Sequence, residues 1–135
     1  MDRRQARRLV QGLAWGRIAF GGCLAAFPAT AGGALVGSEE SRRTGSKAFA
    51  RGLGARDVAL GAGALLALRH DAPVRGWVEA GGLADATDVV SIVLAFPRLP
   101  RTLRWTALAV VLTAAAAAPL LAPGVDEPEQ GARGA

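Results

Sequence analysis

Four long apolar runs constrain what this chain can fold into more than any other feature. They are residues 18–36, 52–68, 77–96 and 105–121, and short polar or proline-containing segments separate them. A helix needs about 20 predominantly apolar residues to cross a bilayer, and these runs are close to that length. Because the connections are short, successive helices should be antiparallel neighbours. The pattern predicts an all-α fold, a four-transmembrane-helix bundle with up-down-up-down topology.

The two ends of the chain differ from the membrane domain predicted for residues 18–121. Residues 1–17 carry five arginines and are predicted to form a basic segment, an interfacial helix on the membrane surface. Residues 122–135 contain Gly, Pro, Glu and Gln and are predicted to be a disordered tail. The 135 residues are 51% hydrophobic but only 5% aromatic. Small side chains suit helices that pack in lipid better than a soluble core, which needs bulkier residues to bury enough area.

Charged residues interrupt two of the apolar runs. Arg56 and Asp57 lie in the second run, and Asp85 and Asp88 lie in the third. Such charges are costly in a bilayer, so they should face the bundle interior and pair with one another. At about 1.5 Å per residue, Arg56 is roughly 6 Å and Asp88 roughly 12 Å from the same membrane face. We therefore predict an Arg56–Asp88 ion pair, with Asp57 or Asp85 close by.

This polar cluster has two interpretations that the sequence leaves open. In the first, it is a buried salt bridge that fixes the register of the helices. In the second, it is a ligand, ion or proton site, in which Arg56 holds an anionic group and an unpaired Asp85 carries a proton. Near the opposite face, Arg17 and Glu79 are predicted to form a secondary pair, although both side chains can equally reach the membrane surface.

A ladder of small residues in the second run is predicted to form a helix-packing face. Ala55, Ala59, Gly63 and Ala67 recur every four residues and therefore share one side of a helix. Small residues at this spacing let two helix backbones approach closely in a membrane.

The sequence lacks the residues that disulfide-bonded, zinc-binding and catalytic proteins need. Cys23 and His70 are the only cysteine and histidine, so neither an internal disulfide nor a zinc site can be built from them. No catalytic set or phosphate loop is present, so a non-enzyme is favoured and no cofactor or metal is predicted. The net charge of +5 comes from arginines scattered at the ends of the runs. That distribution fits a lipid bilayer as partner rather than nucleic acid.

Two questions about the N-terminus remain open from the sequence. A basic start followed by an apolar stretch and Ala29-Thr30-Ala31 is also typical of a cleaved secretory signal. We favour a retained helix, because the apolar run continues to Val36 and three more runs follow. Basic residues divide equally between the two predicted faces, so the positive-inside rule selects no orientation. The N-terminal arginine cluster slightly favours a cytoplasmic N-terminus.

Two motifs carry a resemblance to a known group of proteins. Residues 51–61 follow the pattern Arg-x-x-Gly-x-Arg-Asp-x-x-Leu-Gly, and residues 83–88 place two acids three positions apart. Both resemble motifs of small uncharacterised four-helix integral membrane proteins of actinobacteria, which are DoxX-like in architecture. The resemblance implies that Arg56, Asp57, Asp85 and Asp88 matter to the family. It also suggests redox or quinone-linked partners, as found for some DoxX-like proteins.

The leading functional hypothesis is a multi-pass protein of the cell membrane, either a structural component or a small-ligand binder. The alternatives are a quinone- or redox-linked accessory protein and a proton-coupled small transporter. The transporter would need to work as a dimer, because 135 residues are few for a two-repeat path. A homo-oligomer is therefore among the expected partners. A soluble helical domain is a further alternative, and it would be distinguished by partitioning to the aqueous phase.

Overall fold

The structure, a computed structural model, describes residues 3–101 and 103–126, and this part of the chain is almost entirely helical, without strands. This confirms the predicted all-α class. The described residues form six α-helices: α1 (Arg3–Ala26), α2 (Pro28–Val36), α3 (Ser38–Ser41), α4 (Thr44–Arg69), α5 (Arg75–Ala95) and α6 (Arg104–Leu121). Short 3₁₀ turns follow α5 at Phe96–Arg98 and α6 at Ala122–Gly124.

The first helix begins much earlier than the sequence pattern predicted. Residues 3–17 continue directly into the apolar run as part of α1, so within the described residues they do not form a separate surface helix. The helix ends at Ala26, and a new helix begins at Pro28 after Phe27 leaves helical geometry with ψ at 58°. Proline has no N–H for the helix ladder and pushes the residue before it out of the helical region. The predicted helix 18–36 is therefore divided by Pro28.

Two antiparallel helix pairs form the body of the structure, with α1 along α4 and α5 along α6. Glycines bring α1 and α4 into close contact. A Cβ added to Gly21 would lie 2.5 Å from the carbonyl oxygen of Gly54, and one added to Gly61 would lie 2.5 Å from that of Ala14. Neither position has room for any side chain. The small residues thus set both the distance and the register of this pair.

The packing face of α4 matches only half of the ladder predicted from the sequence. Ala55 and Ala59 are exposed, whereas Gly54 and Gly61 face α1. The predicted ladder is therefore wrong for Ala55 and Ala59, whereas its other two members, Gly63 and Ala67, are buried. The Ala-rich helix offers several small-residue stripes, and only contact with its neighbours selects among them. Gly63 is buried, but its neighbour is Trp77 of α5.

The bundle has small residues inside and large apolar residues outside. Alanines and glycines dominate the buried positions of α1 and α4, and Leu24 is the largest fully buried side chain. Large apolar side chains on the outside include Phe20, Phe49, Leu83, Leu94, Trp105 and Leu120. A water-soluble fold would bury these groups, whereas lipid-facing helices expose them.

Three helical segments of the described chain are long and apolar enough to cross a membrane: Arg3–Ala26, Arg75–Arg98 and Arg104–Leu121. The helix α4 is 26 residues long but carries more charge, including Arg56 and Asp57 near its middle. Length and composition alone therefore support a membrane protein with three candidate crossings. Whether α4 can also cross depends on how its charges are neutralised.

The first residues of the predicted tail are ordered and packed. Val125 is fully buried, and the Asp126 carboxylate accepts hydrogen bonds from the backbone N–H groups of Val74 at 2.9 Å and Arg75 at 2.8 Å. Helix N-termini leave such N–H groups without partners, and a carboxylate there is stabilising. The predicted disorder is therefore wrong for residues 122–126, while residues 127–135 lie outside the described part of the chain.

Candidate functional site: a buried arginine–aspartate network

Five charged side chains from three helices meet inside the bundle. The helix α1 contributes Arg17, α4 contributes Arg56 and Asp57, and α5 contributes Asp85 and Asp88. We call these five residues the arginine–aspartate network. It links the α1/α4 pair to α5, and each link is an ion pair.

Arg56 lies against Asp88, the partner that the depth argument selected. The two guanidinium Nη atoms donate to the two carboxylate oxygens, Nη2 to Oδ2 at 2.8 Å and Nη1 to Oδ1 at 3.1 Å. This two-bond geometry is stronger and more directional than a single contact. Nη2 also lies 3.0 Å from Oδ1 of Asp57. Because α4 begins at Thr44, Arg56 is roughly 18 Å from the helix start, much deeper than a start at Gly52 implied.

Arg17 is the second cation of the network, and its predicted pairing with Glu79 is wrong. Its guanidinium Nη1 lies 3.3 Å from Oδ1 of Asp57, and Nη2 bonds Oδ2 of Asp85. Glu79 instead accepts from Nε of Arg75 at 2.6 Å, one turn away on the same helix and in an exposed position. The error follows from the start of α1, because a helix that begins at Arg3 places Arg17 well inside the bundle.

A glycine on α5 makes room for the Arg17 side chain. A Cβ added to Gly81 would lie 3.1 Å from Nη2 of Arg17, so the guanidinium packs directly over the helix surface. The sequence held one signal that could have placed Arg17 here. The first proline of the sequence is Pro28, so no proline interrupts a helix between Arg3 and Ala26. One continuous helix over these residues places Arg17 well inside it.

The network has an inner and an outer half. The side chains of Arg17, Asp57 and Asp85 are 12%, 9% and 7% exposed, whereas those of Arg56 and Asp88 are 30% and 27% exposed. Two arginines face three aspartates, so the network carries one net negative charge when all five groups are ionised. Such charges are stable in an apolar interior only when paired, and here every one has an ion-pair partner.

A small cavity adjoins the inner half of the network. It is bordered by Arg17 and Asp85, with Gly61, Gly81 and Trp77 among its other walls, and its volume is about 20 Å³. A volume of this size holds about one water molecule. Among the described residues, no group of His, Cys, Asp and Glu side chains is arranged to hold a metal ion. The guanidinium and carboxylate groups of the network can form ion pairs, hydrogen-bond and exchange protons.

The other residues singled out by the sequence lie apart from the network. Cys23 is exposed near the end of α1, and His70 is exposed at the end of α4. No protein-family model, curated protein or solved structure matches this chain significantly.

Proposed function

We propose that this chain is a multi-pass protein of the cell membrane in which α1, α4, α5 and α6 cross the bilayer. In this proposal the arginine–aspartate network holds the helices together as a structural element. The observation that carries it is the convergence of five paired charges from three helices inside a bundle whose outer surface is apolar.

The crossing of α4 is the step that needs its own argument. At 26 residues the helix is roughly 39 Å long, which exceeds the hydrocarbon thickness of about 30 Å. Its central charges, Arg56 and Asp57, have partners on α1 and α5. Paired charges that face other helices are tolerated at membrane depth, where lipid-facing charges are not. With α1 and α5 crossing, the antiparallel α4 between them supports the up-down-up-down arrangement.

The role of the network follows from which helices it joins. Asp85 and Asp88 of α5 reach Arg17 on α1 and Arg56 on α4, so both links run between the two helix pairs. Helices in lipid have no hydrophobic force to drive them together, and polar contacts help to define which arrangement forms. The adjoining cavity accommodates a water molecule rather than a quinone-sized ring, which favours the structural role over a redox one. The DoxX-like resemblance and its quinone link stay sequence-based hypotheses.

The topology can be tested by labelling single cysteines from outside the membrane. Cys23 is replaced by Ser, and a cysteine is placed at His70 or at Gly45, which lie at opposite ends of α4 and are both exposed. A membrane-impermeant maleimide should label only one of the two sites in sealed vesicles and both after the vesicles are opened. A cysteine at Arg101 is the control and should behave as the one at Gly45. Labelling of positions 45 and 70 from the same side would refute the proposal that α4 crosses the membrane.

A second candidate role is proton-coupled transport by a dimer of this chain. The observation in its favour is the excess carboxylate of the network beside a cavity bordered by Asp85. One proton would balance the charge, and a water in the cavity would give it a path. Infrared spectra of the wild type should then show a protonated-carboxyl band that Asp85→Asn removes. A monomer in mild detergent with no such band would leave the structural role as the sole proposal.

A further inference from the structure

A second polar feature lies at the end of the bundle where α1 begins and α4 ends. The first turns of α1 run beside the last turns of α4, and a groove of about 240 Å³ opens between them. Arg7, Arg8 and Arg69 line this groove, together with Trp15 and Leu65. We call it the N-terminal groove. It shares no residue with the arginine–aspartate network.

The groove has a charged end and an apolar end. Because α1 and α4 are antiparallel, Arg7 and Arg8 are level with Leu68 and Arg69, as shown by the hydrogen bond from Nη2 of Arg7 to the carbonyl oxygen of Leu68 at 3.2 Å. Trp15 lies two turns further along α1, roughly 10 Å from Arg8 and towards the middle of the bundle. It is about half exposed. A Trp at this depth is typical of the boundary between headgroups and hydrocarbon.

The positive charge of the groove is largely unbalanced. Asp71 accepts from Nη2 of Arg7 at 3.1 Å, but its side chain is 90% exposed. Neither Arg8 nor Arg69 forms an ion pair within the described part of the chain. Arg8 and Arg69 are exposed, so an anionic group brought into this groove can pair with their guanidinium groups directly.

We propose that the N-terminal groove binds one anionic phospholipid, with its phosphate at Arg7, Arg8 and Arg69 and an acyl chain along Trp15 and Leu65. The inference rests on the membrane placement proposed above. Charge complementarity selects an anionic headgroup, and the apolar end selects a lipid over a free phosphate. Basic residues near a membrane surface attract anionic lipids by about 1 kcal/mol each.

The test is native mass spectrometry of the full chain, stripped of lipid in a neutral detergent and titrated with phospholipids. Wild type should bind one dioleoyl phosphatidylglycerol about 30-fold more tightly than dioleoyl phosphatidylcholine, the ratio expected for two unbalanced arginines. Arg8→Gln with Arg69→Gln should abolish this preference. Arg98→Gln with Arg101→Gln removes the same charge from exposed positions at the other end of the bundle and should leave the preference unchanged.

Three results would overturn the proposal: equal affinity of the wild type for the two lipids, a preference that survives the Arg8/Arg69 substitutions, or displacement of the lipid by equimolar glycerol 3-phosphate. The last result would assign the groove to free phosphate. If the Arg8/Arg69 variant fails to fold, the wild-type comparison of the two lipids still decides. Failure of the membrane proposal looks different, because the chain would then stay in solution without detergent and positions 45 and 70 would label from the same side.

Discussion

Removing Arg17 tests the structural role of the arginine–aspartate network most directly. Its guanidinium bonds both Asp57 and Asp85, the two most buried carboxylates of the network. Arg17→Gln leaves three aspartates facing Arg56 alone, which changes the net charge from −1 to −2. Breaking a buried ion pair by deleting one partner costs about 3–5 kcal/mol. Since a small domain is typically stable by about 5–15 kcal/mol, we expect this single change to remove a large part of the stability.

A second substitution measures the coupling free energy between Arg17 and Asp85. Asp85→Asn in the Arg17→Gln background restores the net charge of −1, because Arg56 then faces Asp57 and Asp88. The double variant should therefore be more stable than the sum of the two single changes predicts, with a coupling of about 2 kcal/mol. The free energy of unfolding is measured by titrating sodium dodecyl sulfate into mild-detergent micelles and following far-ultraviolet circular dichroism.

The matched control is the pair that the sequence suggested and the structure does not form. Glu79 lies on the same helix as Asp85 but bonds Arg75 in an exposed position. Combining Glu79→Gln with Arg17→Gln should give additive effects within measurement error. The reasoning would be refuted if Arg17→Gln cost less than about 1 kcal/mol, or if Arg17 coupled to Glu79 as strongly as to Asp85.

Two further predictions concern contacts outside the network, one between α1 and α4 and one at the start of α5. Gly54→Leu should destabilise the fold by about 3 kcal/mol or more, because a Cβ there would lie 2.8 Å from the backbone nitrogen of Ala25. Gly52→Leu, where a Cβ meets nothing within 4 Å, is the control, and equal effects of the two in the same detergent titration would contradict the close-contact argument. Asp126→Ala should cost about 1 kcal/mol by removing the acceptor at the start of α5, and Asp126→Asn should recover most of it. Hydrogen exchange at the Val74 amide should rise in the Ala variant alone.

Some of the site could be anticipated because two neighbouring apolar runs both carry charged residues that need partners. The depth argument named the Arg56–Asp88 pair, although it placed Arg56 too near the membrane face because it began the helix at Gly52 rather than at Thr44. Their pairing also required the second and third runs to be neighbours. Short connections in helical bundles join adjacent antiparallel helices, and the connection between these two runs is short. The requirement that charges in apolar helices find partners then named Asp57 and Asp85 as well.

The sequence by itself determined that the described chain is helical, that small residues allow close packing, and that charges must be paired inside the bundle. Only the tertiary structure decided that Arg17 belongs to the network, because its height depends on where α1 begins and on how α1 slides against α4. Gly21 and Gly54 set that sliding position through backbone contact, and no periodicity along either helix reports it. For the same reason, the sequence could not predict that Asp126 caps α5, because this contact joins positions 52 residues apart. Contacts between distant segments depend on the whole packing, whereas helix formation depends mainly on neighbours along the chain.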